Sequence, residues 1–321
     1  MIVYLTVLYS GTLGPYLRQR GRDLAPGFRV VPYHALGQAR RLPRATYIFA
    51  DVERLAPTQA ALAEQVLGAI AAQRPPLRVL NHPTRSLTRF ALLRALRAQG
   101  VNTFRVYRGD DDLSGVRFPV FVRGAGDHLG PRSDLIEDPE QLEAIIAHAM
   151  LHGHEPADVL VVEYEDTRSA DGLFRKYGAV RVGDRIIPRH LWFARSWVQK
   201  EADKGLSAEM LDEERAYLAS GDHQPELMDI FQTARIDYGR IDYAVVDGRI
   251  TVWEINTNPS LFMADPSGQH PGRVPFDDGF DRRLREAWAE IDHPADEAGR
   301  LFDYELRVPR AAPGQPARGP A

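Results

Sequence analysis

The chain has 321 residues, 44% of them hydrophobic and 26% charged, with a formal net charge of −4 and no cysteine. That length and composition predict a soluble globular protein of two or three subdomains, and the charge gives no electrostatic ground for a nucleic-acid or anionic-membrane partner. The lack of cysteine excludes disulfides, zinc–thiolate centres, iron–sulfur clusters and thiol nucleophiles.

The opening run IVYLTVLY has no basic residues before it and ends at Ser-Gly, which predicts a first β-strand rather than a signal peptide. No stretch reaches transmembrane length, so a cytoplasmic location is the expectation. SGTLGPYLRQRG follows as a glycine-bearing turn into a short helix. Its glycines fall short of the dinucleotide-binding pattern, so the turn is read as structural. ATYIFADVE predicts a strand, APTQAALAEQVLGAIAAQ a helix, and LRVLNHP a strand ending at Pro83. Such alternation makes about the first 80 residues an α/β unit with a parallel sheet.

SLTRFALLRALRAQG is an amphipathic helix closed by Gly100. The strands VNTFRVYR and FPVFVRG lead to the glycine-spaced loop GAGDHLG. DPEQLEAIIAHAMLHG predicts a helix with Asp138 as its N-cap and Pro139 at its first position. ADVLVVEYED is a buried strand, and FRKYGAVRVGDRIIPRHLWFAR a hairpin turning at Gly183-Asp184. Helical stretches precede a second hairpin, GRIDYAVVDGRITVWEINTNPSL, which turns at Asp247-Gly248. A last helix, DDGFDRRLREAWAEI, comes before a Pro-, Ala- and Gly-rich tail expected to be disordered. His148, His152 and His154 have helical spacing but stand at a helix end with little acidic support, and are read as surface residues.

The second hairpin carries the chemistry. Glu254 and Asn256 are i and i+2 on one strand and leave the same face. The Asp247-Gly248 turn folds the strand bearing Asp242 back beside them. Three hard oxygen ligands on rigid strands suit Mg²⁺. The alternative is an edge hairpin with polar residues facing water, against which the apolar Ile250, Val252, Trp253 and Ile255 weigh.

These residues resemble the metal-binding hairpin of the ATP-grasp superfamily, in particular its D-alanine–D-alanine ligase, glutathione synthetase and ribosomal-protein glutamate ligase members. The resemblance implies an α/β fold with an N-terminal parallel-sheet pre-ATP-grasp domain (1–80) and two α+β ATP-grasp lobes (81–160, with the glycine-rich flap, and 161–303, with the metal site). The tail is then 304–321. It implies ATP and two Mg²⁺ ions, with Mn²⁺ as a substitute, held by Asp242, Glu254 and Asn256.

Arg240 falls where members place an arginine on the reacting phosphates. Arg89 and Arg123 take the positions of two phosphate-binding lysines, and Gly124 and Gly126 belong to the flap. VLVVEYED is similar to the hinge that presents backbone groups to adenine, at Glu163, Tyr164 and Glu165, while Asp171 takes the ribose position. Arg175, and after it Lys176, match basic residues that contact substrate and phosphate.

The implied activity is carboxylate–amine ligation through an acylphosphate, forming an amide bond. The substrates would be small-molecule or peptide carboxylates and amines. The resemblance further implies a homodimer, with no nucleic-acid or membrane partner. A kinase that stops at a phosphorylated product and a non-catalytic nucleotide sensor are the competing readings.

Overall fold

The computed structural model describes residues 1–7, 12–198, 205–262, 270–294 and 297–304. The turn at 8–11, part of the 196–227 helical stretch and nearly all of the C-terminal tail lie outside the described residues.

Strand β1 (Ile2–Thr6) is buried along its whole length, the pattern of a strand covered on both faces. It lies between β2 (Phe28–Pro32) and β4 (Thr46–Phe49), with β5 (Val79–Leu80) beyond β4, and every pairing in this sheet is parallel. The short helices α1 (Leu13–Arg18) and α2 (Tyr33–Leu36) join its first half. Helix α3 (Pro57–Ala71) starts at Pro57, where no backbone N–H is missed, and buries Ala63, Val66 and Ile70 at helical spacing. β2 has no counterpart in the sequence reading: Phe28, Val30 and Val31 are only half-buried, so its apolar signal is diluted.

Strand β3 (Arg41–Pro43) pairs with β13 (Leu301–Asp303), which returns from the far end of the chain. Tyr304 follows it into the core of this first domain.

Helix α4 (Arg89–Ala98) is capped by Thr88, whose side chain accepts from the Ala91 N–H. Gly100 closes it at φ +78°, a left-handed conformation suited to glycine. Strands β6 (Val106–Arg108), β7 (Val120–Gly124) and β8 (Val159–Glu163) form an antiparallel sheet in the order β6-β8-β7. Helix α5 (Pro139–Leu151) covers it, with Asp138 accepting from Gln141 N–H at 2.9 Å as its cap.

The strand expected over 101–108 is shorter than its apolar pattern suggests. Asn102 is buried there and spends its amide on another element, giving Nδ2–H to Val252 C=O and accepting from Val252 N–H, both at 2.9 Å.

Strands β9 (Phe174–Val182), β10 (Arg185–Ala194), β11 (Tyr238–Val246) and β12 (Arg249–Asn256) form a second antiparallel sheet, ordered β10-β9-β11-β12. Its hairpins turn at 183–184 and 247–248, with Asp247 and Gly248 both at positive φ, the geometry of a two-residue hairpin loop. Helices α6 (Ala208–Ala219) and α7 (Gln224–Ala234) cover one face through Leu218, Leu227, Ile230 and Phe231. The last helix, α8 (Val274–Ile291), begins three residues earlier than its sequence pattern suggests. It shares one core with Ile2 and Tyr4 of β1 and Val180 and Val182 of β9, joining the first domain to the last sheet. Among the described residues no helix is long and apolar enough to cross a membrane.

Candidate active site

In the β11–β12 pairing Arg240 lies opposite Asn256 and Asp242 opposite Glu254. All four side chains therefore leave one face of the sheet, as period-2 alternation requires. Gly178 of β9 lies opposite Asp242 on its other side, and Lys176, two residues earlier, joins the same face.

Asp242 is 2% exposed. It accepts from Arg240 at 2.7 Å (Nε) and 3.2 Å (Nη2), and Lys176 Nζ stands 2.9 Å away. Burial pushes its carboxyl up, but Arg240 and Lys176 outweigh this and hold it below its ordinary value.

Glu254 Oε2 accepts from Arg123 Nη2 at 2.5 Å and from Arg89 Nη2 at 2.6 Å. Burial again opposes ionisation, yet Arg123, His128 and Arg89 hold this carboxyl well below the usual range. Four permanent cations, Arg89, Arg123, Lys176 and Arg240, thus surround two carboxylates, leaving a local positive excess suited to a polyanion.

A cavity of about 610 Å³ opens above this floor. Phe104, Phe121, Val162, Trp197 and Trp253, which pack as one apolar cluster, line part of it, and Arg123, Lys176, Arg240, Asp242 and Glu254, joined by ion pairs, line another part, with the Trp192 ring 5.2 Å from Lys176 Nζ. Trp197 packs against Phe121 (ring centroids 5.0 Å apart) and edge-on to Tyr164 (5.9 Å). Trp253 reaches the cavity through a bulge. The register of β11 and β12 steps from Asp242↔Glu254 to Tyr243↔Val252 and leaves Trp253 unpaired. Neighbouring Trp253 and Glu254 can then both line the cavity, which strict alternation would forbid. Asn102 satisfies the Val252 backbone groups beside the bulge.

The hinge segment does reach the cavity, through Glu163, Tyr164 and Glu165. The Glu163 carboxylate, however, is turned to the protein, accepting from the Arg105 and Arg117 N–H groups at 3.0 Å each. Glu165 has a buried Oε2 with no hydrogen-bond partner among the described residues.

Arg175 and Asp171 are not brought to the cavity. Arg175 lies on the opposite face of β9 from Lys176 and binds Glu213 of α6 (2.7 Å) and Asp171 (2.8 Å). The Arg175 hydrogen bond, and after it the Leu173 N–H, hold the Asp171 carboxyl down to about 2. Backbone stands close to Gly126, whereas Gly124 is approached by the side-chain ends of Asp127 and Arg132. A Cβ at Gly124 would stand 1.9 Å from Asp127 Oδ2, and one at Gly126 2.9 Å from the Glu53 carbonyl oxygen.

Two residues that sequence reasoning did not single out complete the site. His128, in the flap, sets Nε2 2.8 Å from Glu53 Oε1 and Nδ1 3.2 Å from Arg89 Nη2 and 3.6 Å from Glu254 Oε1. Burial opposes its protonation, but Glu254 and Glu53 raise its pKa above the ordinary value. Glu53, from the first domain, also accepts a hydrogen bond from the Thr257 hydroxyl just past β12. A histidine inside a glycine-spaced loop was the available signal for the first; nothing local marks the second.

The oxygens of Asp242, Glu254 and Asn256 fit Mg²⁺ by type, being hard donors on one sheet face. The Asn256 amide oxygen accepts from Asn258 N–H at 2.8 Å. Among the described residues no three His, Asp or Glu side chains converge as a metal cage. A site of this composition therefore suits a cation that takes its remaining ligands from phosphate and water.

No protein-family model matches the chain, and no curated protein matches it. Solved structures do resemble it. A "RimK domain protein ATP-grasp" from Sphaerobacter thermophilus DSM 20745 aligns with TM-score 0.50 and 17% identity over 91% of this chain and 99% of that one. D-alanine–D-alanine ligase from Bacillus anthracis aligns with TM-score 0.47 and 15% identity, covering 90% and 99%. L-amino acid ligase from Bacillus licheniformis aligns with TM-score 0.41 and 12% identity, covering 80% and 66%. The chain has the ATP-grasp fold, in agreement with the α/β organisation expected from its sequence.

Proposed function

We propose, from this ATP-grasp fold, that the chain is an ATP- and Mg²⁺-dependent carboxylate–amine ligase that forms an amide bond through an acylphosphate. The observation that carries the reading is a cavity lined both by an aromatic cluster beside the 163–165 segment and by cations with two carboxylates on one sheet face. An adenine ring fits the first by stacking on Phe121 and Trp253, and a triphosphate fits the second.

Asp242, Glu254 and Asn256 would hold Mg²⁺, which when bound neutralises phosphate charge and orients the γ-phosphoryl group. Arg123, Arg240 and Lys176 then hold the remaining negative charge in place. A substrate carboxylate oxygen attacks the γ-phosphorus and ADP leaves. An amine next attacks the acyl carbon, phosphate leaves with the C–O bond electrons, and the amine sheds a proton. The flap over the charged part excludes water, which would otherwise hydrolyse the acylphosphate.

The test is release of ADP and phosphate that requires both Mg²⁺ and an amine, screened over paired acid and amine libraries. Glu254→Ala should fall to the blank, and full turnover in that variant refutes the ligase. One observation favours a second reading, a nucleotide sensor: Glu254 is engaged by two arginines, both in positions where lysine was expected. Tight Mg-ATP binding in calorimetry without turnover on any acid–amine pair would select it. An ADP-linked phosphoproduct formed without any amine would point instead to a kinase.

A further inference from the structure

Arg89 and Arg123 both touch Glu254, yet they differ in what else they can reach. Arg89 gives Nη1–H to the Gly124 and Ala125 carbonyls (2.7 and 3.2 Å) and Nη2–H to the Asp127 carbonyl (2.7 Å) and to Glu254. Its Nε is buried without a partner among the described residues, and the residue is 5% exposed. Both terminal nitrogens are thus committed to the protein, and Arg89 is not among the residues lining the cavity. Arg123 has a single side-chain hydrogen-bond partner among the described residues, Glu254, and does line the cavity.

We propose that Arg89 is a positioning residue that clamps the glycine flap (124–132) over Glu254, leaving Arg123 as the cation of this lobe that meets phosphate. The clamp has a second anchor on the first domain. His128 of the flap binds Glu53, and Gly126 lies against the Glu53 carbonyl, so the flap is fastened from both sides. A lysine could not replace the arginine here. Its three donors radiate from one nitrogen, whereas the guanidinium fork spans three flap carbonyls and a carboxylate together.

The clamp therefore gives a physical role to one of the two arginines found where lysine was expected. It also means that the flap is ordered by the chain itself rather than by nucleotide. Only its consequence for catalysis rests on the ligase reading.

The experiment is amide hydrogen exchange on the full, nucleotide-free chain, followed in peptides spanning 120–133, alongside ATP kinetics. Arg89→Lys should speed flap exchange by about tenfold or more, since hydrogen bonds to a charged group are lost. It should raise the ATP KM with kcat less affected, because flap closure is weakened. Arg123→Lys should leave flap exchange at the wild-type rate and lower kcat. Wild-type flap exchange in Arg89→Lys overturns the proposal and returns Arg89 to the phosphates. Should Arg89→Lys fail to fold, Glu53→Gln decides. It weakens the second anchor and the Glu53–Thr257 bonds just past β12, so faster exchange in the flap beyond any change around 257 supports the clamp, and flap exchange no faster than at 257 overturns it. Absence of turnover on every substrate would count against the ligase while leaving the exchange result standing.

Discussion

Two antiparallel sheets face each other across the cavity, and they are built on different terms. The β6-β8-β7 sheet offers Phe121, Val162 and a single cavity-lining cation, Arg123. The β10-β9-β11-β12 sheet offers Lys176, Arg240, Asp242 and Glu254, together with the aromatic Phe174, Trp192 and Trp253, to the cavity, while its other face is packed under α6 and α7. The first is an apolar platform with one cationic edge, the second a charged floor flanked by aromatic rings on a hydrophobic base. A ligand that satisfies both has a flat apolar part and a polyanionic part, which is what the proposed nucleotide would supply. The difference also says which mutations should act on chemistry and which on affinity.

Removing the charge at the floor should have the largest effect. Glu254→Ala should lower turnover on the order of 10³-fold, since on the ligase reading a group that would hold Mg²⁺ is lost. It should also destabilise the fold by roughly 3 kcal/mol, because the buried guanidinium groups of Arg89 and Arg123 lose their counter-ion. ADP release and denaturant midpoints measure the two effects, and an unchanged midpoint would contradict the burial described here.

Arg123→Ala comes next, with a kcat loss of about 10²-fold from one missing phosphate donor. An effect on KM alone would move Arg123 from the chemistry to the platform. On the apolar side, Phe121→Ala or Trp253→Ala should weaken ATP binding about tenfold, in line with a base-stacking contribution of about 1–3 kcal/mol, with kcat nearly kept. Equal losses for ATP and inorganic triphosphate in calorimetry would break the assignment of this wall to the base.

The smallest effect is on acid stability. The Glu254 carboxyl ionises well below its ordinary value of 4.5 in the folded chain. Its contribution is therefore complete above about pH 4.5 and is lost as pH falls toward the folded value. Unfolding free energy measured from pH 6 downward should drop below about pH 4.5, and drop less steeply in Glu254→Gln.

Much of the floor was legible in the primary structure. Alternation puts Glu254 and Asn256 on one face, and Asp247-Gly248 demands a tight turn, so the convergence with Asp242 follows from local rules. The Asp138 cap of α5 and the Gly100 stop of α4 were legible for the same reason: both are local contests for backbone hydrogen bonds. Arg175 and Lys176 show the limit. Alternation says that they face opposite ways, but which of them meets the cavity depends on the pairing of β9 with β11. The Trp253 bulge was invisible because it is defined against a partner strand and supported by Asn102, 150 residues away. Glu53 met the site only because the first domain packs on the end of β12.

The sequence by itself determined the alternating strands and the hairpin with its oxygen ligands, since each depends on spacing within a few residues, while the cations around it were named only through the resemblance to the ATP-grasp family. Tertiary structure alone decided which cations stay free to meet a ligand. Arg89 and Arg123 are alike as residues, and their roles diverge because one fork is saturated by flap carbonyls and the other opens into the cavity. Hydrogen-bond saturation belongs to the neighbourhood in space, and the chain order does not encode it locally.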